Sequence, residues 1–215
     1  MFTKTQTTTS RFRGEEGFSL AEVLVAIAIL GTLATASLYL TIGGLNSSES
    51  QRRTNVAVTL AGGAMESVVA HSPAINAATG VSAIYNGRTA AKTFERWAVN
   101  HTIAGFDRMY PGWDPQAVAS SVQQIPLTES ATVNGTEYSI ETMIGRCFQP
   151  LTGGQCTTLP AYATAPAAAP AGFVELTRII TVVWWFAGAN CDSGCSYHTS
   201  TLVDTSVDLQ WNTNG

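Results

Sequence analysis

Few side chains in this 215-residue sequence combine a reactive type with a telling spacing. Four cysteines fall into two close pairs, Cys147 with Cys156 and Cys191 with Cys195. Four thiolates can bind zinc, but neither spacing is the CxxC that makes such a site recognisable, and no metal is expected. In an exported chain an even count reads as disulfides, with three connectivities open. The local pairing is favoured because Leu151-Thr152-Gly153-Gly154 and Asp192-Ser193-Gly194 are turn formers inside short loops. His71, His101 and His198 can be combined with Asp107, Asp114 or Asp204 and a serine only on paper. No nucleophile elbow, HExxH pair or phosphate-binding glycine loop accompanies them, so neither an enzyme nor a cofactor is expected. One acid remains to be explained. From Phe18 to Ser48 the sole charged residue is Glu22.

The segment around Glu22 defines the element that must carry it. A helix from Phe18 to about Leu45 would be about 42 Å long at 1.5 Å per residue, enough to cross a hydrocarbon core of about 30 Å. A carboxylate one turn inside such a span costs about 2.5–3.5 kcal/mol on insertion scales, so it needs a partner or a purpose. Before it stands a polar, threonine-rich leader with Lys4, Arg11 and Arg13, which the positive-inside tendency would hold in the cytoplasm.

Gly17, Phe18, Glu22 and the apolar run with Leu20 and Gly31 resemble the N-terminus of type IV prepilins and of the pseudopilins of type II secretion. Ser19 stands where threonine is more usual, and Ala21 where a larger aliphatic is common. The resemblance implies cleavage between Gly17 and Phe18 by a prepilin peptidase and N-methylation of Phe18. It also implies that Glu22 neutralises the amine of a neighbouring subunit during filament assembly. An α-amine is cationic near neutral pH, with a pKa of about 7.7–8.0, so the pair is chemically sound where water is excluded. The implied function is structural: a minor pilin of a type IV pilus, or a type II secretion pseudopilin. The implied partners are other pilin subunits, the peptidase, the assembly platform and the lipid bilayer before assembly. The protein would sit in the cytoplasmic membrane as a single-pass protein with its head outside, then in a cell-surface pilus. No proline interrupts the helix, which leaves Gly31 and Gly43-Gly44 as its weak points.

Two plainer readings compete. A secretory signal peptide also has a basic start and an apolar middle, and Ala34-Thr35-Ala36 would serve as its cleavage site, releasing a secreted binding domain near Ala36. Against it, Glu22 opens the apolar region, and Leu38, Tyr39, Leu40 and Ile42 continue past the cut. A plain membrane anchor explains the length but gives Gly17-Phe18 and Glu22 no role.

The remainder suits one domain. The expected organisation is a cleaved leader over residues 1–17, a transmembrane or filament-core helix over 18–45, and an extracytoplasmic head over 46–215. The leader holds three of the 11 basic and two of the 15 acidic residues, so cleavage leaves 8 against 13. With few cations to form a patch, phosphate-led nucleic-acid binding is not indicated.

Beyond Asn46 the helix turns amphipathic. Val56, Leu60, Ala64 and Val68, flanked by Ala57, Ala61 and Met65, form one apolar stripe that predicts continuation to about His71, where Pro73 stops it. Gly62-Gly63 weakens this half by about 1 kcal/mol per glycine relative to alanine, and either close sheet packing is the reason for the pair or it has none. Tyr85-Asn86-Gly87-Arg88 reads as a turn, Ala90 to Asn100 as a short helix or strand, and Tyr110 to Pro115 as irregular. Tyr85, Trp97, Tyr110 and Trp113 in this connection form the candidate binding surface, against the plainer reading that they pack the loop down. Asn134-Gly135 between strand-like flanks is a hairpin signal. Ala161 to Gly172, rich in alanine and proline, cannot be a central strand. Phe173 to Phe186 is buried on parts of both faces, and Val203, Thr205, Val207, Leu209 and Trp211 alternate in a closing strand. The expected fold is α+β: a long N-terminal helix on a four-stranded antiparallel sheet, which is also pilin-like.

Overall fold

The structure is a computed structural model and describes residues 19–72, 82–159, 169–187, 191 and 193–204. It divides into two compact units, Met1–Ser47 and Ser48–Gly215. A single helix, α1 (Leu20–His71), has residues in both. The leader, Pro73 and most of the alanine- and proline-rich stretch lie outside the described residues.

In the first unit the large apolar side chains of α1, from Leu20 to Leu45, are all exposed. Its hydroxyls are another matter. Thr32, Thr35, Ser37 and Thr41 each donate to a carbonyl three or four residues back, at 2.6–2.8 Å. A polar group in hydrocarbon must be satisfied within its own segment, and these four meet that demand.

The second unit holds the rest of α1 and a five-stranded antiparallel sheet. Its strands are β1 (Tyr110–Pro111), β2 (Thr128–Val133), β3 (Thr136–Pro150), β4 (Phe173–Trp185) and β5 (Cys195–Val203). β4 lies between β3 and β5, while β1 and β2 pair in tandem along the other side of β3. The β2–β3 connection is the two-residue Asn134-Gly135 turn, with φ of 52° and 76°. Positive φ at both positions gives the primed turn whose twist suits a hairpin.

Period-two alternation splits the sheet into two apolar faces. Tyr138, Ile140, Val183 and Trp185 pack against Ala57 and Ala61 of α1, and Ile144 and Ile179 pack against Val68. The small alanines let the helix approach, and full burial of a residue such as Val68 contributes about 1.5–3 kcal/mol. On the opposite face Met143, Ile180 and Val182 meet Phe106, Met109 and Leu127, with Trp97 of the short helix α2 (Ala90–Asn100) beside them. Thr89 caps α2 by accepting a hydrogen bond from Lys92 N.

Two expectations are corrected. Tyr110-Pro111, read as irregular, is a strand, paired with Gly145 and Arg146. A side chain at Gly145 would collide with the Tyr110 carbonyl, so that glycine admits β1. The last described strand, β5 at Cys195–Val203, was not read from the sequence, and the closing strand expected through Thr205 to Trp211 lies outside the described residues. Gly62 and Gly63 face open space, so close sheet packing does not explain them.

Candidate functional site

Glu22 sits one turn inside the start of α1. Ser19 precedes that helix, and its Oγ accepts from the Glu22 backbone N–H at 3.2 Å. In return, the Glu22 carboxylate accepts from the Ser19 N–H at 3.2 Å and from its hydroxyl at 3.3 Å. This is a capping box, in which residues three apart satisfy each other's otherwise unbonded donors. The negative charge also lies at the positive end of the helix dipole. The signature Ser-x-x-Glu ahead of an apolar run was legible in Ser19-Leu20-Ala21-Glu22, and the sequence reading missed it. Gly17 and Phe18 lie outside the described residues.

The four candidate aromatics of the head do not form one surface. Tyr85 packs against the Val68–Ile144–Ile179 cluster, with its ring over Gly112, and desolvation pushes its pKa up. Trp97 packs on the opposite sheet face, its ring centroid 4.9 Å from that of Phe106. Tyr110 belongs to β1. Trp113 meets Phe94 in a tilted contact with ring centroids 5.3 Å apart, and Phe94 is 49% exposed. Phe94, on α2, is the exposed aromatic that sequence reasoning missed. Packing thus accounts for Tyr85 and Trp97, and a two-ring Phe94–Trp113 surface remains.

The other buried polar groups brace the loops. Arg88 is fully buried, donating from Nε to the Ile125 carbonyl at 3.0 Å and from Nη2 to the Pro126 carbonyl at 3.2 Å. Burial lowers its pKa to about 9, which still leaves it charged at neutral pH. Asp114 holds the turn from the other side, accepting from Gly87 N at 3.1 Å and from Gln116 N at 2.9 Å. Glu141, buried on β3, accepts from Asn100 Nδ2 and faces Arg96 Nη1 at 3.5 Å, which pins α2 to the sheet. The hydrogen bonds of Arg88 and of Asn100 with Glu141 span 37 to 41 residues, beyond any local sequence signal.

Cys147 is bonded to Cys156 and Cys191 to Cys195, with Cα separations of 5.4 and 5.0 Å. The first bond closes a loop that Phe148 and Thr157 bridge and that Arg178 Nη2 anchors by donating to the Cys156 carbonyl at 2.9 Å. Among the described residues no group of three or more histidine, cysteine or acidic side chains is arranged to hold a metal.

Residues 12–38 match the family described as the prokaryotic N-terminal methylation motif. That motif, at the start of α1, makes this N-terminal segment type IV prepilin-like. The same pair of observations supports membrane anchoring through the N-terminal helix. No curated protein and no solved structure matches the chain. The motif match ends at residue 38 and therefore describes the start of α1 and not the head.

Proposed function

We propose that the chain is a minor pilin, a structural subunit of a type IV pilus and not an enzyme. A prepilin peptidase removes residues 1–17, the new Phe18 amine is methylated, and residues 18–45 anchor the subunit in the cytoplasmic membrane. Assembly then transfers that helix from lipid to a core of neighbouring subunits, leaving the head of residues 46–215 outside. The observation that carries this reading is the methylation motif set on a helix whose apolar side chains are exposed all round. Glu22 then serves twice: it caps its own helix, and it offers a carboxylate to the Phe18 amine of the next subunit.

The type II secretion pseudopilin is the second reading, since the same motif and helix serve both assemblies. Release near Ala36 is disfavoured because α1 runs unbroken through Ala34–Ala36, and signal peptidase would have to cut within it. N-terminal sequencing of the mature protein tests the proposal. A methylated Phe18 start is expected, and a start at Ser37 would refute it. Deleting the gene and scoring piliation against secretion separates pilin from pseudopilin.

A further inference from the structure

The fold brings two cations from distant parts of the chain to one short loop. Arg108, at the end of the 3₁₀ turn Phe106–Arg108, donates from Nη1 to Gln155 Oε1, and Arg178, on β4, donates from Nη2 to the Cys156 carbonyl at 2.9 Å. Gln155 and Cys156 are consecutive, about 3.8 Å apart at Cα, so the loop holds the two guanidinium groups as neighbours. Gly105, which opens the same turn at a φ of 97°, completes the arrangement. A Cβ there would stand 3.2 Å from Arg178 Nη1, and a positive φ of this kind suits glycine.

Two like charges side by side disfavour each other. Burial first and Arg108 second hold the Arg178 pKa below its ordinary value. The acid beside them is Asp107, whose carboxylate lies 3.9 Å from Arg108 Nε and is 73% exposed. The other four ion pairs among the described residues close to 2.7–3.5 Å. A long contact in water contributes little. Tethering the loop does not require the charges, since the Cys147–Cys156 bond and the Phe148–Thr157 bridge already close it, and a neutral donor would serve the Cys156 carbonyl. Arg178 Nε adds a further cost, being buried without a hydrogen-bond partner.

We propose that Arg108, Arg178 and Gln155 form an oxyanion site that takes one phosphate or sulfate group. A guanidinium has five donors and no acceptor, and its strongest partners are oxyanions. The Arg108 side chain is 43% exposed, which leaves part of its fork in reach of a ligand. Because Arg108 can only donate, Gln155 presents its oxygen to it and turns its amide N–H groups the other way, on a residue that is exposed. Donors on three side chains suit a tetrahedral group with oxygens in several directions, whereas a planar carboxylate is satisfied by a single fork. The site is local. Arg52 and Arg53 share Glu49, Arg96 lies between Glu95 and Glu141, and Arg88 is buried, so these cations do not extend it along a polyanion.

Calorimetric titration of the full chain in detergent with inorganic phosphate, at fixed ionic strength, tests the site. Saturable binding of one phosphate per chain is expected. Arg108→Gln should weaken it at least ~10-fold, as loss of a charged hydrogen bond does, and Gln155→Leu severalfold, both without a change in Tm. Arg178→Lys keeps the charge and loses the fork, and it should also weaken binding. Arg52→Gln, which removes a cation elsewhere on the head, should have no effect. Equal affinity for glycerol 1-phosphate would assign the site to a phosphate ester on a larger molecule, and a preference for inorganic phosphate would assign it to the free ion. No saturable binding up to ~10 mM phosphate, or binding that Arg108→Gln leaves unchanged, would overturn the proposal. So would an equal loss in Arg52→Gln, because the effect would then be one of net charge.

Discussion

The two halves of α1 share a backbone and differ in what their side chains require. From Leu20 to Leu45 the apolar residues surround the helix and are exposed. From Ser48 to His71 they narrow to one stripe, in which Ala57, Ala61 and Val68 are fully buried against the sheet. Hydroxyls turned onto helix carbonyls occur in both halves, as at Thr35 and at Thr54 and Thr59, but only the second carries ion pairs, opening with Glu49 between Arg52 and Arg53 at 2.9 and 3.1 Å. Helix propensity does not separate them. The surroundings do: one half must meet an apolar medium on all sides, and the other a protein core on one side and water on the rest.

The largest expected effect tests the first half through its processing. Gly17→Leu should leave uncleaved precursor in the membrane, visible as a heavier band, with the head folded as before. Normal maturation of this variant would count against a prepilin peptidase.

Next comes the head's own support. Cys147→Ser opens a loop of about 10 residues, for which chain entropy gives about 2.5–3 kcal/mol. In a chain of this size each kcal/mol shifts Tm by about 2–4 °C, so calorimetry in detergent should show a drop of several degrees without loss of folding. An unchanged Tm would mean that the loop is held by Arg178 and the Phe148–Thr157 bridge alone.

The comparison is sharpest with one substitution made in both halves. Ala61→Leu forces extra volume between α1 and the sheet and should destabilise the head by about 1–3 kcal/mol. Ala28→Leu, on the exposed half, should leave the Tm of the head unchanged. Equal effects would mean that the two halves do not respond separately.

How much was legible in the sequence follows the same division. The apolar run and the stripe announce α1 because both repeat over many turns, and Phe173 to Phe186 announces β4 through apolar residues on both faces. β1 was missed because two residues, one of them proline, carry no period, and its existence depends on Gly145 more than thirty positions away. β5 was missed because Ser196, His198 and Ser200 alternate with residues only half buried, a weak pattern beside the apolar run of β4. The Arg88 and Glu141 braces were invisible, since their partners are set by the fold. At the N-terminus the family pattern drew attention to Glu22 as an assembly residue, and the capping box in the same four residues passed unread.

The smallest expected effect on stability separates those two roles of Glu22. Removing the cap with Ser19→Ala leaves the Glu22 backbone N–H without its acceptor and should cost about 0.5–2 kcal/mol, confined to the first turn. Glu22→Gln keeps an oxygen for the Ser19 N–H, because glutamine serves at the third position of a capping box, so the start of the helix should be nearly unchanged. What glutamine lacks is the charge that would face a neighbouring amine, which is cationic at neutral pH. If assembly depends on that pair, incorporation into sheared filaments should fall for Glu22→Gln and stay near wild type for Ser19→Ala, with cleavage after Gly17 equal in both. The reverse order would make Glu22 a helix cap alone. Both variants should insert into the membrane at least as well as the parent, since neither adds a charge to the apolar segment and Glu22→Gln removes one.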